Sequence, residues 1–197
     1  MSSGKPNLYI ISSVAGGGKS TIISRILTIH PEFYFSISCT TRSPRPGDTP
    51  GTTYYFLTVD EFKKKIEEDE FYEWALVHGN YYGTPKAPIH KAISEKKVVL
   101  LDIDVQGAKT VKALRPESVS IFIQPPSREI WIERLIKRGT DSEESIERRI
   151  SNGISELDQA SSFDYVVIND DLDHATEQVK SIIQSEGSPS SSSKVLP

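Results

Sequence analysis

Near the start of the chain an apolar run, Leu8-Tyr9-Ile10-Ile11, leads into Ser12-Ser13-Val14-Ala15-Gly16-Gly17-Gly18-Lys19-Ser20-Thr21. A buried strand that breaks on successive glycines and reopens as a helix constrains the whole architecture. It is the first half of a β–loop–α unit, which belongs to α/β folds with a parallel sheet. In such a loop the backbone N–H groups curl around phosphate oxygens, and the helix N-terminus adds partial positive charge. Ala15, Gly16, Gly17, Gly18, Lys19, Ser20 and Thr21 are therefore the candidate nucleotide-phosphate residues. Lys19 is placed to reach β- and γ-phosphates, and the Ser20 hydroxyl to sit on Mg²⁺. The template G-x-x-x-x-G-K-[ST] fails only at its first position, where Ser13 stands. A plain glycine turn is the alternative, and the Lys-Ser pair argues against it.

The 197 residues suit one core with insertions. A formal net charge of −4 argues against a general nucleic-acid binder or a polybasic membrane-surface protein. Any phosphate site must then gather its cations locally. Cys39 is the only cysteine, so there is no disulfide framework and no cysteine-based zinc site. That fits a reducing cytosol. No apolar run has the length of a membrane span, and Leu8–Ile11 is too short for a signal sequence. A soluble, cytoplasmic protein is expected, as a monomer or weak homo-oligomer.

Apolar runs alternate with helical periodicities. Strands are expected at Val98–Leu101, Val119–Ile123 and Tyr165–Ile168, and helices at Ser20–Ile29, Gln106–Leu114, Ser127–Arg138, Glu143–Ser155 and Leu172–Gln184. Two segments interrupt this order. Residues 38 to about 88 are rich in Gly, Pro, Thr and Tyr with one charged helix at Asp60–Asp69, which suggests a substrate-binding insertion. Gly139-Thr140-Asp141-Ser142 lies between two helices and suggests a hinged lid over about 138–150, with Asp141 or Ser142 as helix cap. The core domain is expected to span 1–186. The Ser-rich tail, 187–197, has too little apolar material for a core and is expected to be disordered.

Within the insertion, Arg42 and Arg45 lie three apart on a segment stiffened by Pro44 and Pro46. Guanidinium forks held this way suit a phosphate monoester bidentately. A solvated basic loop is the plainer reading, but no acid occurs between Ser36 and Gly47. Tyr54 and Tyr82 add phenolic donors. Trp74 and Trp131 are expected in the core.

Together with the loop, several spaced motifs resemble the guanylate kinase family. They are Ser38–Phe56, Phe71-Tyr72-Glu73-Trp74-Ala75, Gly79-Asn80-Tyr81-Tyr82-Gly83-Thr84, Leu101-Asp102-Ile103-Asp104-Val105-Gln106-Gly107, Arg138-Gly139-Thr140 and Val167-Ile168-Asn169-Asp170-Asp171. The resemblance runs from Leu8 to about Ile183. It implies a P-loop nucleoside monophosphate kinase fold, in which a parallel sheet covered by helices carries a GMP-binding insertion and a helical lid. It also implies transfer of the γ-phosphoryl group of MgATP to GMP, and to dGMP.

Position by position, Arg42, Arg45, Tyr54 and Tyr82 match the residues that hold the GMP phosphate. Ser38, Glu73, Thr84 and Asp104 match those around the guanine, and Asn169 matches a position beside the adenine. The family loop usually reads G-P-S-G-x-G-K-S. Serine at position 13 is acceptable if the backbone there avoids positive φ, and three successive glycines suggest a mobile empty loop.

Guanine presents N1–H and N2–H₂ as adjacent donors, which an ionised Glu73 accepts together. Asp102 and Asp104 follow an apolar strand, where α/β sheets place ligand groups. Asp102 is assigned to the waters of Mg²⁺ and Asp104 to the base, with a helix N-cap as the alternative for either. Arg134, Arg138 and Arg149 have no acid three or four positions away on their own helices, whereas Arg148 has Glu144. The same three positions match the phosphate-clamping arginines of the family. Catalytic roles are thus expected for Lys19, Arg42, Arg138 and Arg149, and ATP contacts for Arg134. A catalytically silent phosphopeptide-binding module is the rival, but it has no need of Lys19 and Ser20.

Overall fold

The computed structural model describes residues 7–77, 79–137 and 143–186, with side chains described from residue 146 in the last segment. Arg138, the lid segment 139–142 with its cap residues, the Glu144 side chain and the tail 187–197 lie outside the described residues. In chain order the elements are β1 (Leu8–Ser13), α1 (Lys19–Ile29), β2 (Tyr34–Ser36), β3 (Cys39–Thr40), β4 (Tyr55–Phe56), α2 (Val59–Glu67), β5 (Phe71–Val77) and β6 (Asn80–Pro85). They continue with α3 (Lys86–Ser94), β7 (Val99–Asp102), α4 (Val105–Leu114), β8 (Val119–Gln124), α5 (Arg128–Lys137), α6 (Glu143–Asp158), a 3₁₀ turn at Ala160–Ser162, β9 (Tyr165–Ile168) and α7 (Leu172–Glu186).

The main sheet runs β2-β7-β1-β8-β9, and every pairing in it is parallel. Its three central strands β7, β1 and β8 are buried almost throughout because both faces are covered, whereas the edge strand β9 leaves Val166 and Ile168 exposed. Alternation along β1 divides the core. Tyr9 and Ile11 pack with Ile22, Ile23 and Ile26 of α1 and with Val179, Ile182 and Ile183 of α7. Leu8 and Ile10 face Ile89 and Ala92 of α3 and Ala108 and Val111 of α4. Parallel strands put all their carboxyl ends on one edge, where ligands bind in open α/β sheets. That edge carries Ser13, Ser36, Asp102, Gln124 and Ile168, so the loops that follow these residues converge there.

The insertion is a second sheet, β4-β3-β6-β5, with its own small core of Cys39, Phe62 and Phe71. The Phe62 ring stacks on Phe71 at 4.6 Å and on Tyr81 at 5.3 Å. Its helix α2 is held at the start by a full capping box between Thr58 and Glu61. The second sheet ends at Pro85. The next segment, Lys86–Ser94, forms α3 and packs into the main core through Ile89 and Ala92. Pro88 falls in its first turn, where a missing N–H costs nothing.

One core expectation is corrected. Trp131 is fully buried, but Trp74 is 48% exposed. On β5, Glu73 and Ala75 line a cavity, so Trp74 and Leu76 take the opposite, uncovered face of the sheet.

Candidate active site

The glycine loop is built as its spacing requires. Ser13 ends β1 outside the left-handed region, while Gly16 and Gly18 adopt φ of 83° and 97°. The loop is tied at several points. Gly17 N donates to Val14 O at 3.0 Å, Trp131 Nε1 donates to Ala15 O at 2.7 Å, and Asn169 Nδ2 donates to Gly17 O at 2.8 Å. Asn169, matched by resemblance to an adenine neighbour, is buried against the loop. Its own carbonyl accepts from both Arg134 Nη1 and Nη2, at 3.2 and 3.3 Å.

Trp131 has a second contact. A side chain at Gly153 of α6 would overlap its ring, so the indole is wedged between α6 and the loop. Trp131→Phe keeps most of that packing and removes the N–H, leaving Ala15 O without this donor. We expect the KM for ATP to rise roughly three- to tenfold. The KM for GMP should stay near its starting value, as steady-state kinetics with each substrate varied would show. Equal shifts in both constants would assign Trp131 to general stability instead.

Lys19 does not stand free. Its ammonium pairs with Asp102 at the end of β7 and donates to Ile103 O at 3.3 Å. Ser20 and Asp102 border one cavity of about 600 Å³, between α1, β2 and the Thr52–Tyr54 segment. A hydroxyl and a carboxylate on one cavity are hard oxygen donors of the type Mg²⁺ accepts alongside phosphates and waters. They fit that ion without the need for a dedicated all-protein cage, and no cluster of three or more His, Cys, Asp or Glu able to hold a metal occurs among the described residues. Thr21 is exposed on the first turn of α1.

A second cavity of about 210 Å³ is lined by Ser38, Tyr54, Glu73, Tyr82, Asp102 and Asp104, among others. It shares Ser38, Tyr54 and Asp102 with the first. The register of β5 on β6 sets Thr84 opposite Glu73, and the Thr84 hydroxyl donates to Glu73 Oε1. Thr84 thus supports the carboxylate from behind. Asp104 serves both of its expected alternatives. It lines the cavity, and its Oδ1 caps α4 by accepting from Gly107 N at 2.7 Å.

Glu73 differs from the plain carboxylate expected. Burial, opposed by the Thr84 hydrogen bonds and reinforced by the neighbouring charge of Asp104, brings its pKa up to about 7. Glu73 therefore exchanges its proton within the neutral range rather than near the ordinary carboxylate value.

The segment around the arginine pair is acid-free only as far as Gly47, and the next residue is Asp48. Its Oδ2 accepts from Arg42 Nη2 at 2.9 Å and from Arg45 N at 2.7 Å. The Arg42 guanidinium also sits over Tyr54 and Phe56, 5.4 and 5.8 Å from their centroids. Asp48 fixes the turn and holds Arg42 beside Tyr54, whose ring meets Tyr82 edge-on at 6.0 Å. The Arg45 side chain is exposed.

Two further residues take their surroundings from the fold. Gly107 lets the Glu73 carboxyl pass close, since a Cβ there would stand 3.0 Å from both its carboxyl carbon and Oε2. Glu156 of α6 is partly buried, and burial together with the charge of Asp104, opposed by Lys19, brings its pKa up to about 7. Arg149 lies half-buried on the same helix.

The comparisons with known proteins agree with this geometry. The guanylate kinase family model matches residues 5–186. Guanylate kinase from Maricaulis maris is 46% identical over 180 residues, covering 91% of this chain and 83% of its own. The guanylate kinase of Helicobacter pylori strain 26695 is 47% identical over 176 residues, covering 89% and 85%. Among solved structures, guanylate kinase from Anaplasma phagocytophilum superposes with a TM-score of 0.76 at 29% identity, over 93% of this chain and 87% of that one. With a family match across nearly its whole length, this chain belongs to the guanylate kinase family.

Proposed function

We propose that this chain transfers the γ-phosphoryl group of MgATP to GMP, and to dGMP, giving ADP and GDP or dGDP. The observation that carries the reading is the junction of the two cavities. Glu73 and Asp104 line one and Ser20 the other, and Ser38, Tyr54 and Asp102 are common to both. A base held at Glu73 directs its 5′-phosphate past Tyr54 and Tyr82 towards the glycine loop.

Phosphoryl transfer asks the protein mainly for in-line positioning and for positive charge around the equatorial oxygens. Lys19 turns from Asp102 to the donor phosphates, which frees the Asp102 carboxylate to face the metal side. Ser20 and Asp102, the latter through water, would hold Mg²⁺, which when bound neutralises charge on the donor phosphates. Arg42, Arg45, Tyr54 and Tyr82 hold the acceptor phosphate. Arg134, Arg138 and Arg149 are assigned to the clamp on the donor, and Asn169 holds the loop under it. The acceptor monoester is largely dianionic near neutral pH, with its second pKa at about 6. It needs no general base. Closure of the insertion and the lid excludes water as a competing acceptor.

We assign the activity to the cytoplasm as a monomer or weak homo-oligomer, without nucleic-acid or membrane partners. The single buried Cys39 supports a reducing compartment, and no helix among the described residues is long and apolar enough to cross a membrane. Coupled ADP release measured with GMP, dGMP, IMP, AMP, CMP and UMP tests the substrate assignment. GMP and dGMP should lead, with IMP weaker because it lacks the N2 donors. Comparable rates with AMP would overturn it.

A further inference from the structure

Three glycines in succession call for three reasons, and backbone conformation supplies two. Gly16 and Gly18 lie at positive φ, where a side chain is strained; Gly17 does not. What excludes a side chain at 17 is Ser13. A Cβ on Gly17 would overlap Ser13 Oγ and come within 3.2 Å of Val14 O and 3.4 Å of Ile123 O. Nor is the Ser13 hydroxyl free to swing aside. It is buried at the end of β1 and donates across to Ile123 O of β8 at 2.7 Å. The phosphate-loop template restricts position 13 to glycine and leaves position 17 open. This chain reverses the two.

We propose that Ser13 and Gly17 form an interlocked pair sharing one volume between β1 and β8, and that Ser13 is a positioning residue for the donor loop. The Gly17 peptide is fixed on two sides, by Gly17 N on Val14 O and by Asn169 Nδ2 on Gly17 O. Ser13 Oγ closes the third. Removing the hydroxyl opens space beside Gly17 and leaves Ile123 O without this donor, so the loop loses the arrangement that aims its N–H groups. Adding a side chain at 17 forces Ser13 off Ile123 O, with the same consequence. The effect reaches the nucleotide through the loop and not by contact. This inference rests on the assignment of the loop to the donor phosphates.

The test is a cycle of Gly17→Ala, Ser13→Gly and the double variant, with Ser13→Ala beside it, read by melting temperature and by KM for each substrate. Gly17→Ala should lower the melting temperature by roughly 3–8 °C. It should raise the KM for ATP roughly tenfold or more, well beyond any change in the KM for GMP. In the Ser13→Gly background both penalties of Gly17→Ala should shrink several-fold. If Gly17→Ala alone does not fold, a folded double variant is the same rescue. Ser13→Ala, which introduces no clash, should raise the KM for ATP about three- to tenfold. A Gly17→Ala enzyme equal to the parent, or a double variant as impaired as Gly17→Ala, overturns the interlock. An unchanged KM for ATP in Ser13→Ala overturns the positioning role. Failure of the donor-site reading looks different, because normal turnover in Lys19→Ala would remove the loop's function while leaving the melting cycle intact.

Discussion

Lys19→Ala should lower turnover by roughly 10²–10³-fold or more, the scale for removing one preorganised donor of transition-state charge. GMP binding should be nearly unchanged. The lysine follows the glycine loop at the start of α1, and its ammonium pairs with Asp102 at the rim shared by both cavities. In the unliganded chain that pair keeps the cation within reach of the transfer path. With donor phosphates present, their oxygens replace the Asp102 carboxylate as partners of Lys19. The alanine variant loses charge where it develops on the transferring group, so kcat falls. Asp102 is left without its cation, but it is partly solvent-exposed and can be hydrated, so the fold should survive. Coupled kinetics and calorimetric titration with GMP give the two halves of the result. Near-normal turnover in a folded variant would sink the assignment of the loop.

Where local chemistry and neighbours in sequence decide, the site was legible in the chain. Four of the five main strands, the loop geometry and the cap at Asp104 follow from apolar runs, glycines and an Asp placed before a helix. What was not legible depends on partners distant in sequence or just beyond the motif. Asp48 neutralises the apparent isolation of Arg42 from three residues beyond Arg45. Trp74 reads as core in composition, but β alternation turns it outward once Glu73 points inward. The short β2 has too few residues to show a period, and α3 opens with a proline in its first turn. Gly107 gains its role only when α4 is brought against β5. The elevated pKa of Glu73 is likewise a property of burial and of Asp104 across the cavity, which no local pattern contains.

That elevated pKa gives the specificity a pH dependence. Reading guanine N1–H and N2–H₂ requires Glu73 as an acceptor on both oxygens, hence ionised. In its protonated form Glu73 can donate to adenine N1 and so stops opposing AMP. The groups facing it are Asp104, which raises its pKa, and Thr84, whose hydrogen bonds lower it. With the pKa at about 7, each pH unit well below that value should cut the ionised fraction about tenfold. The ratio of kcat/KM for GMP to that for AMP should therefore rise as pH goes from about 6 to 8 and level off above the pKa. Taking the ratio cancels titration of the substrate phosphate, which GMP and AMP share. Glu73→Gln should flatten this profile. It should also lower the ratio at pH 8 by roughly 10²–10⁴-fold, because the amide offers one acceptor and sets its NH₂ against a guanine donor. Folding stability carries the opposite sign. A carboxyl whose folded pKa lies above its unfolded value binds its proton more tightly in the fold, so its contribution falls as pH rises from about 4.5 to about 7. Glu73→Gln should accordingly melt higher than the parent at pH 8, with the difference shrinking towards pH 5. A variant that discriminates less and melts higher separates a base reader from a residue that merely holds the pocket together. Full discrimination by Glu73→Gln would move the reading of the base to Asp104.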